Sequence, residues 1–206
     1  MIIENSSTGN NISVILLAAG LSSRMGRPKL LLPWGKTTVL GQVISTFTAA
    51  GLKDLVVVTG AARGQIEGMV TELANKFPVR SVFNPEFDRG GMLSSIQVGL
   101  VAMDSQTRAA LIGLGDQPQV LEETVRGICS SFNQTNSLLV IPSFQNRRGH
   151  PWLAARSLWP NILELSSPTT PQQFLNTYPG HVEYFAADPS ILQDLDTPAD
   201  YDRLRP

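Results

Sequence analysis

The sequence predicts an α/β fold: a three-layer Rossmann-like sandwich with a mostly parallel sheet. Three observations carry this. Short β-branched or leucine-rich runs alternate with segments of helical period, the signature of βα units. Several runs are apolar on successive residues, such as VILLA at 14–18 and LVVV at 55–58, as expected when helices cover both faces of a sheet. The chain has 206 residues, 42% of them hydrophobic and 16% charged, which is enough for one sizeable core.

In chain order, residues 1–11, MIIENSSTGNN, read as a loose polar lead-in, with a single domain expected over 12–206. Ile12–Ala18 is the first expected strand. Thr38–Ala50 repeats Val39, Val43, Ile44 and Phe47 at helical spacing and stops at Gly51. The next strands are expected at Leu55–Thr59, Val79–Phe83, Ala109–Leu114 and Leu138–Pro142. Helices are expected between them at Gln65–Ala74, Leu93–Met103 and Glu122–Phe132. After Pro142 the rhythm weakens. The polar SFQNRRGHP segment leads into a short run, Trp152–Ala155, then helical pieces near Ser157–Leu165 and Pro171–Tyr178, and a strand at Val182–Ala186.

The formal net charge of −1 gives no reason to expect nucleic acid or an anionic membrane as partner, so any cationic site must be local. The one cysteine, Cys129, excludes an internal disulfide and a cysteine-rich metal site. It fits a small apolar filler in a cytoplasmic protein. No apolar run approaches the ~20 residues of a membrane span, and no repeat of ~20–50 residues suggests a solenoid.

The stretch LLAAGLSSRMGRPKLLLPWG (16–35) places glycines, serines, Arg24, Arg27 and Lys29 directly after the first strand. Strand ends are where open α/β sheets bind ligands, and glycine turns with Lys or Arg suit phosphate. The Walker A pattern fails, because five residues separate Gly20 from Gly26 and Arg27-Pro28 precedes Lys29. The dinucleotide fingerprint fails too: Gly113 and Gly115 are followed by Pro118 where the third glycine belongs. Small residues Ala18, Ala19 and Gly20 would let the backbone approach a base or sugar, while Arg24 and Lys29 could surround a triphosphate. Without further support, a surface glycine loop with solvated cations is the plainer reading.

In ALIGLGDQPQV, Asp116 stands just past a buried strand that Pro118 ends, either facing the same crevice or capping a helix. Far downstream, LQDLDTPADYDRL offers Asp196 as a second carboxylate; Asp196 or Thr197 could equally cap a last helix with Pro198 in its first turn. Ser94 and Ser95 fall in the first turn of a helix opened by Gly90-Gly91, where free N–H groups and hydroxyls suit either polar ligand contacts or simple capping. NRRGHPWLA supplies Gly149 and His150. Trp34, Trp152 and Trp159 sit beside apolar neighbours as packing residues, with Trp34 the closest of them to Lys29 in sequence.

Taken together, Ala18-Ala19-Gly20-x-x-x-Arg24-Met25-Gly26-x-x-Lys29 strongly resembles the first motif, LAAGxSxRMGxxK, of the molybdenum cofactor cytidylyltransferase-like (MobA-like NTP transferase) family. The GDQP segment, the GHP segment and Asp196-Thr197-Pro198 resemble three further motifs of that family, in the expected order, from Val14 to Leu204. The resemblance implies a nucleotidyltransferase of glycosyltransferase-A-like type, with catalytic Arg24 and Lys29 and nucleotide contacts from Ala18, Ala19, Gly20, Ser94 and Ser95. It further implies Mg2+ on Asp116 and Asp196, and an acceptor pocket bordered by Gly149 and His150. LAAG rather than LAGG implies CTP over GTP or another NTP, molybdopterin as acceptor, and a product used by molybdenum hydroxylases. The alternatives are a guanylyl- or sugar-phosphate nucleotidyltransferase, or a non-catalytic accessory protein that holds nucleotide or cofactor for hydroxylase maturation. Where relatives carry a DKGAR-like segment, this chain has SSPTTPQQFL, residues 166–175.

Overall fold

The computed structural model describes residues 11–135, 137–166 and 168–206. The expected lead-in therefore lies almost wholly outside the described residues. The strands are β1 (Ile12–Ala18), β2 (Pro33–Trp34), β3 (Thr37–Thr38), β4 (Leu55–Thr59), β5 (Val79–Phe83), β6 (Ala109–Leu114), β7 (Leu139–Phe144), β8 (Arg147–Arg148), β9 (Trp152–Ala155) and β10 (Val182–Ala186). The helices are α1 (Val39–Ala49), α2 (Arg63–Leu73), α3 (Gly91–Val101), α4 (Glu122–Thr135), α5 (Trp159–Leu163), α6 (Pro171–Leu175) and α7 (Pro198–Leu204).

The main sheet runs in the order β10-β7-β9-β6-β1-β4-β5, with β8 paired to β7. Pairings of β1 with β4 and β6, of β4 with β5, and of β7 with β10 are parallel. β9 enters antiparallel between β6 and β7. A four-residue apolar run says nothing about its partners' direction, so this insertion was not foreseeable from Trp152–Ala155.

Side-chain alternation assigns the two cores. Val14, Leu16, Val57 and Leu111 face α1, α2 and α4, packing with Val43, Phe47, Val70 and Ile128. Ile15, Val56, Val58 and Ile112 face the other way, packing with Leu93, Ile96, Leu100 and Ile162 of α3 and α5. Burial on both faces explains the unbroken apolar runs. At roughly 1.5–3 kcal/mol for each large apolar side chain removed from water, these layers dominate the stabilisation of the sheet.

The helix ends follow local chemistry. The Thr38 hydroxyl accepts from the Gly41 N–H at 3.1 Å and starts α1. At α7 the Thr197 and Asp200 side chains form a reciprocal capping box, with Pro198 at the first position. Because Thr197 does the capping, Asp196 is left to point elsewhere.

The topology places a crevice. From β1 the chain proceeds to β4 and β5 on one side and then returns to β6 on the other, so the switch point falls between β1 and β6. Ligands of open α/β sheets bind at that point, outside the carboxyl ends of the strands. The loop after Ala18 and the turn carrying Asp116 both emerge there, held together by the Gly115 N–H donating to the Leu17 carbonyl at 3.0 Å.

Candidate active site

A cleft of about 360 Å3 opens at the switch point, lined by Ala18, Ala19, Gly20, Ser22, Lys29, Met92, Ser95, Asp116, Asp194 and Asp196 among others. Four segments remote in sequence thus converge. Lys29 lies at the centre: its Nζ is ion-paired with Asp116 Oδ2 and, at 3.1 Å, with Asp196 Oδ1. The Arg24 guanidinium donates to Asp196 Oδ2 at 2.9 Å from a largely solvated position.

Electrostatics separate these groups. Burial works against the charge on Lys29, but Asp116 and Asp196 outweigh it and raise its pKa above the ordinary lysine value. Burial lifts the Asp116 carboxyl above its usual range, and the Lys29 ammonium opposes that rise without cancelling it.

The closing segment is fixed to the Asp116 turn by several bonds. The Leu195 N–H donates to the Asp116 carbonyl at 3.2 Å. Buried Gln117 donates through Nε2 to the Ile191 carbonyl at 3.2 Å and to Asp194 Oδ1 at 2.7 Å. The structure shows Gln117 as the tie between the two acidic segments, a relation no sequence spacing encodes.

Ser95 is buried at the cleft, and Ser94 lies beside it; Asn84 Nδ2 donates to both hydroxyls at 2.9 Å. Ser94 also donates to the Gly91 carbonyl at 3.0 Å, one turn back on α3. Asn84 was the residue missed. Its position immediately after β5, at the same sheet edge as Gly20 and Asp116, was the available signal.

A second cavity of about 560 Å3 adjoins the first and shares Gly91 and Met92 with it. Arg89, Arg148, Gly149, His150, Trp152 and Thr170 are among its lining residues, so part of the divergent 166–175 segment forms its wall. Gly149 is required by close approach: a Cβ there would fall 2.8 Å from Ile191 Cβ. The Ile191 carbonyl accepts from the His150 N–H at 3.2 Å as well as from Gln117. Arg148 donates to Asn176 Oδ1 and to the Tyr184 hydroxyl, each at 2.6 Å.

Burial pushes His150 down to about 4, against the pull of Asp116, and its Nε2 is sealed from water. His150 is therefore neutral at pH 7. Since its unfolded form titrates near 6.5, protonation favours the unfolded chain as pH falls below ~6.5, and the loss levels off below about 4. The expected result is that the stability difference between wild type and His150→Gln shifts in favour of the variant from pH 6.5 to 4.5. Chemical denaturation at several pH values checks this, and a difference independent of pH contradicts it.

The tryptophans are packing residues as expected. Trp34 is buried and tilts against Tyr201 with ring centroids 6.4 Å apart, and Trp152 and Trp159 are buried in the second core. Cys129 is buried, with its thiol pushed up to about 12. Among the described residues, no helix is long and apolar enough to cross a membrane.

Comparison with known proteins agrees with this architecture. The chain is 28% identical over 190 residues to the molybdenum cofactor cytidylyltransferase of Escherichia coli (strain K12), spanning 92% of this chain and 93% of that protein. It is 30% identical over 199 residues to the nicotine blue oxidoreductase of Paenarthrobacter nicotinovorans, spanning 90% and 92%. The crystal structure of Rv0371c from Mycobacterium tuberculosis H37Rv superposes with a TM-score of 0.80 at 28% identity, covering 94% of this chain and 97% of that one. The complex of Rv0371c with manganese gives 0.76 at 26% identity, with the same coverage. The family model of the MobA-like NTP transferase domain matches residues 14–182, and with that match over a switch-point cleft of this form, the chain belongs to the MobA-like NTP transferase family.

Proposed function

We propose that this chain is a magnesium-dependent cytidylyltransferase that moves CMP from CTP onto the phosphate of molybdopterin and releases pyrophosphate. The observation that carries the reading is the convergence of Asp116 and Asp196 on one cationic centre beside the Ala18–Gly20 loop, in a chain of this family.

The metal seat is tested by its present occupant. Carboxylate oxygens from two remote segments surround the Lys29 ammonium, so a cation is already favoured at that point. Among the described residues, no group of three or more His, Cys, Asp or Glu side chains is gathered to hold an ion. A seat of two hard carboxylates fits Mg2+, which keeps waters and completes its shell with substrate phosphates. When bound, the ion supplies charge neutralisation at the reacting phosphates.

The chain's own residues do the rest. Ala18, Ala19 and Gly20 leave room for the nucleotide, and Ser95 offers a hydroxyl toward it. Arg24 and Lys29 oppose the negative charge that develops on the departing pyrophosphate. The neighbouring cavity, with Gly149 and His150 in its wall, receives the acceptor, and Gly91-Met92 lies between the two compartments. An acceptor phosphate is already ionised at neutral pH, so no strong general base is demanded. Neutral His150 is consistent with that. The lone buried thiol suits a cytoplasmic home, and molybdenum hydroxylases are the proposed users of the product.

The test is release of pyrophosphate from each of CTP, GTP, ATP and UTP with Mg2+ and molybdopterin. Turnover with CTP, dependent on molybdopterin, is the expected result. Preference for GTP or for a sugar phosphate acceptor would favour the other transferases of this fold. The oxidoreductase name of one 30% identical relative makes redox turnover without pyrophosphate release the result that would overturn the proposal.

A further inference from the structure

We propose that Lys29 guards the metal seat: its ammonium occupies the place of the divalent ion until a triphosphate draws it away, so that ion and nucleotide enter as a linked pair. This rests on the reading of Asp116 and Asp196 as the metal-holding pair.

The geometry is direct. Lys29 Nζ is bonded at once to Asp116 Oδ2 and Asp196 Oδ1, with the side chain only 14% exposed. Mg2+ would need those same oxygens at about 2.0–2.1 Å. The two cations cannot share them without repulsion at contact distance. An ion arriving alone must therefore break two ion pairs and leave the ammonium in a partly buried cleft with no new partner. Lys29 and Arg24 also offset two of the three negative charges of Asp116, Asp194 and Asp196, so an arriving ion meets one net negative charge there instead of three and is drawn in more weakly.

A triphosphate changes the balance by offering anionic oxygens inside the same cleft, which Lys29 and Ala18–Gly20 line together. The lysine can reach them by its own rotation, since its flexible stem carries three donors. Its backbone stays in place, because the short 3-10 turn Lys29–Leu31 is anchored by buried Leu30. Arg24 leaves Asp196 readily, being largely solvated. Metal and nucleotide then assist one another by the same factor, as linkage requires.

The experiment is Mn2+ binding to the full chain, read from the EPR signal of free Mn2+. It is done without nucleotide and with a CTP analogue whose α–β bridge is a non-cleavable methylene. Without nucleotide, Lys29→Met is expected to bind Mn2+ about tenfold or more tightly than wild type, through removal of one like charge at the seat. Lys29→Ala is expected to match it. The analogue is expected to tighten Mn2+ on wild type by more than on Lys29→Met. Equal Mn2+ affinity of wild type and both variants overturns the inference, as does an equal gain from the analogue. The wild-type arm alone is decisive if no variant folds, because an Mn2+ affinity unmoved by the analogue also overturns it. A different failure marks the underlying reading: Mn2+ bound to Asp116→Asn as tightly as to wild type, with the analogue present, removes the metal seat itself.

Discussion

Asp116→Asn is expected to lower nucleotidyl transfer by about 10^3-fold or more, chiefly in kcat, while the chain stays folded. The carboxylate is one of two that face the cationic centre, and asparagine keeps its shape while removing its charge. Loss of charge stabilisation at a metal-assisted phosphoryl centre amounts to several kcal/mol, and each 1.36 kcal/mol is roughly tenfold in rate. Stability should change far less. Lys29 keeps its bond to Asp196, so no lone buried charge results. Steady-state kinetics beside a thermal melt separates the two effects. A folded Asp116→Asn with near wild-type kcat contradicts the role proposed for this residue.

Gly60→Ala, outside the cleft lining, is expected to damage both fold and site. Gly60 follows β4 and lies against the Ala18–Gly20 loop proposed to hold the nucleotide, where an added Cβ would fall 2.8 Å from Ala19 Cα and nearer still to the Ala19 carbonyl oxygen. The obstacle is backbone, so the loop itself must yield. Overpacking of this kind costs about 1–3 kcal/mol. A displacement approaching ~1 Å at the nucleotide contact can cost up to ~10^2-fold in rate. The variant should therefore melt earlier and show a raised KM for CTP. An unchanged KM in a destabilised protein would indicate that Ala19 does not touch the nucleotide.

Much of this arrangement was legible from residues 12–142. β1, β4 and β6 fall where the apolar runs predict, because strands covered on both faces write their burial into nearly every residue, and β5, the sheet edge, falls at its expected place with only Val79 buried. Gly20 and Asp116 each stand just past the end of an apolar run, and that shared position is the sequence signal that they can meet at one crevice. The tail was harder. β9 pairs antiparallel with strands distant in sequence, and α5 and α6 are five-residue helices, too short for periodicity to define. The Lys29–Asp196 contact was the least readable feature. It depends on Thr197 taking the helix cap and on Gln117 tying the Asp194 segment to the Asp116 turn. The motif resemblance names Lys29, Asp116 and Asp196, but nothing in the motifs places the lysine ammonium between the two carboxylates.

The most direct measurement is the anomalous signal of manganese in crystals grown with Mn2+ and the non-cleavable CTP analogue. The predicted peak lies between the Asp116 and Asp196 carboxylates, with Lys29 Nζ withdrawn onto the phosphates. A peak away from both carboxylates, with Lys29 still bonded to them, would contradict the central claim that these two acids hold the catalytic ion.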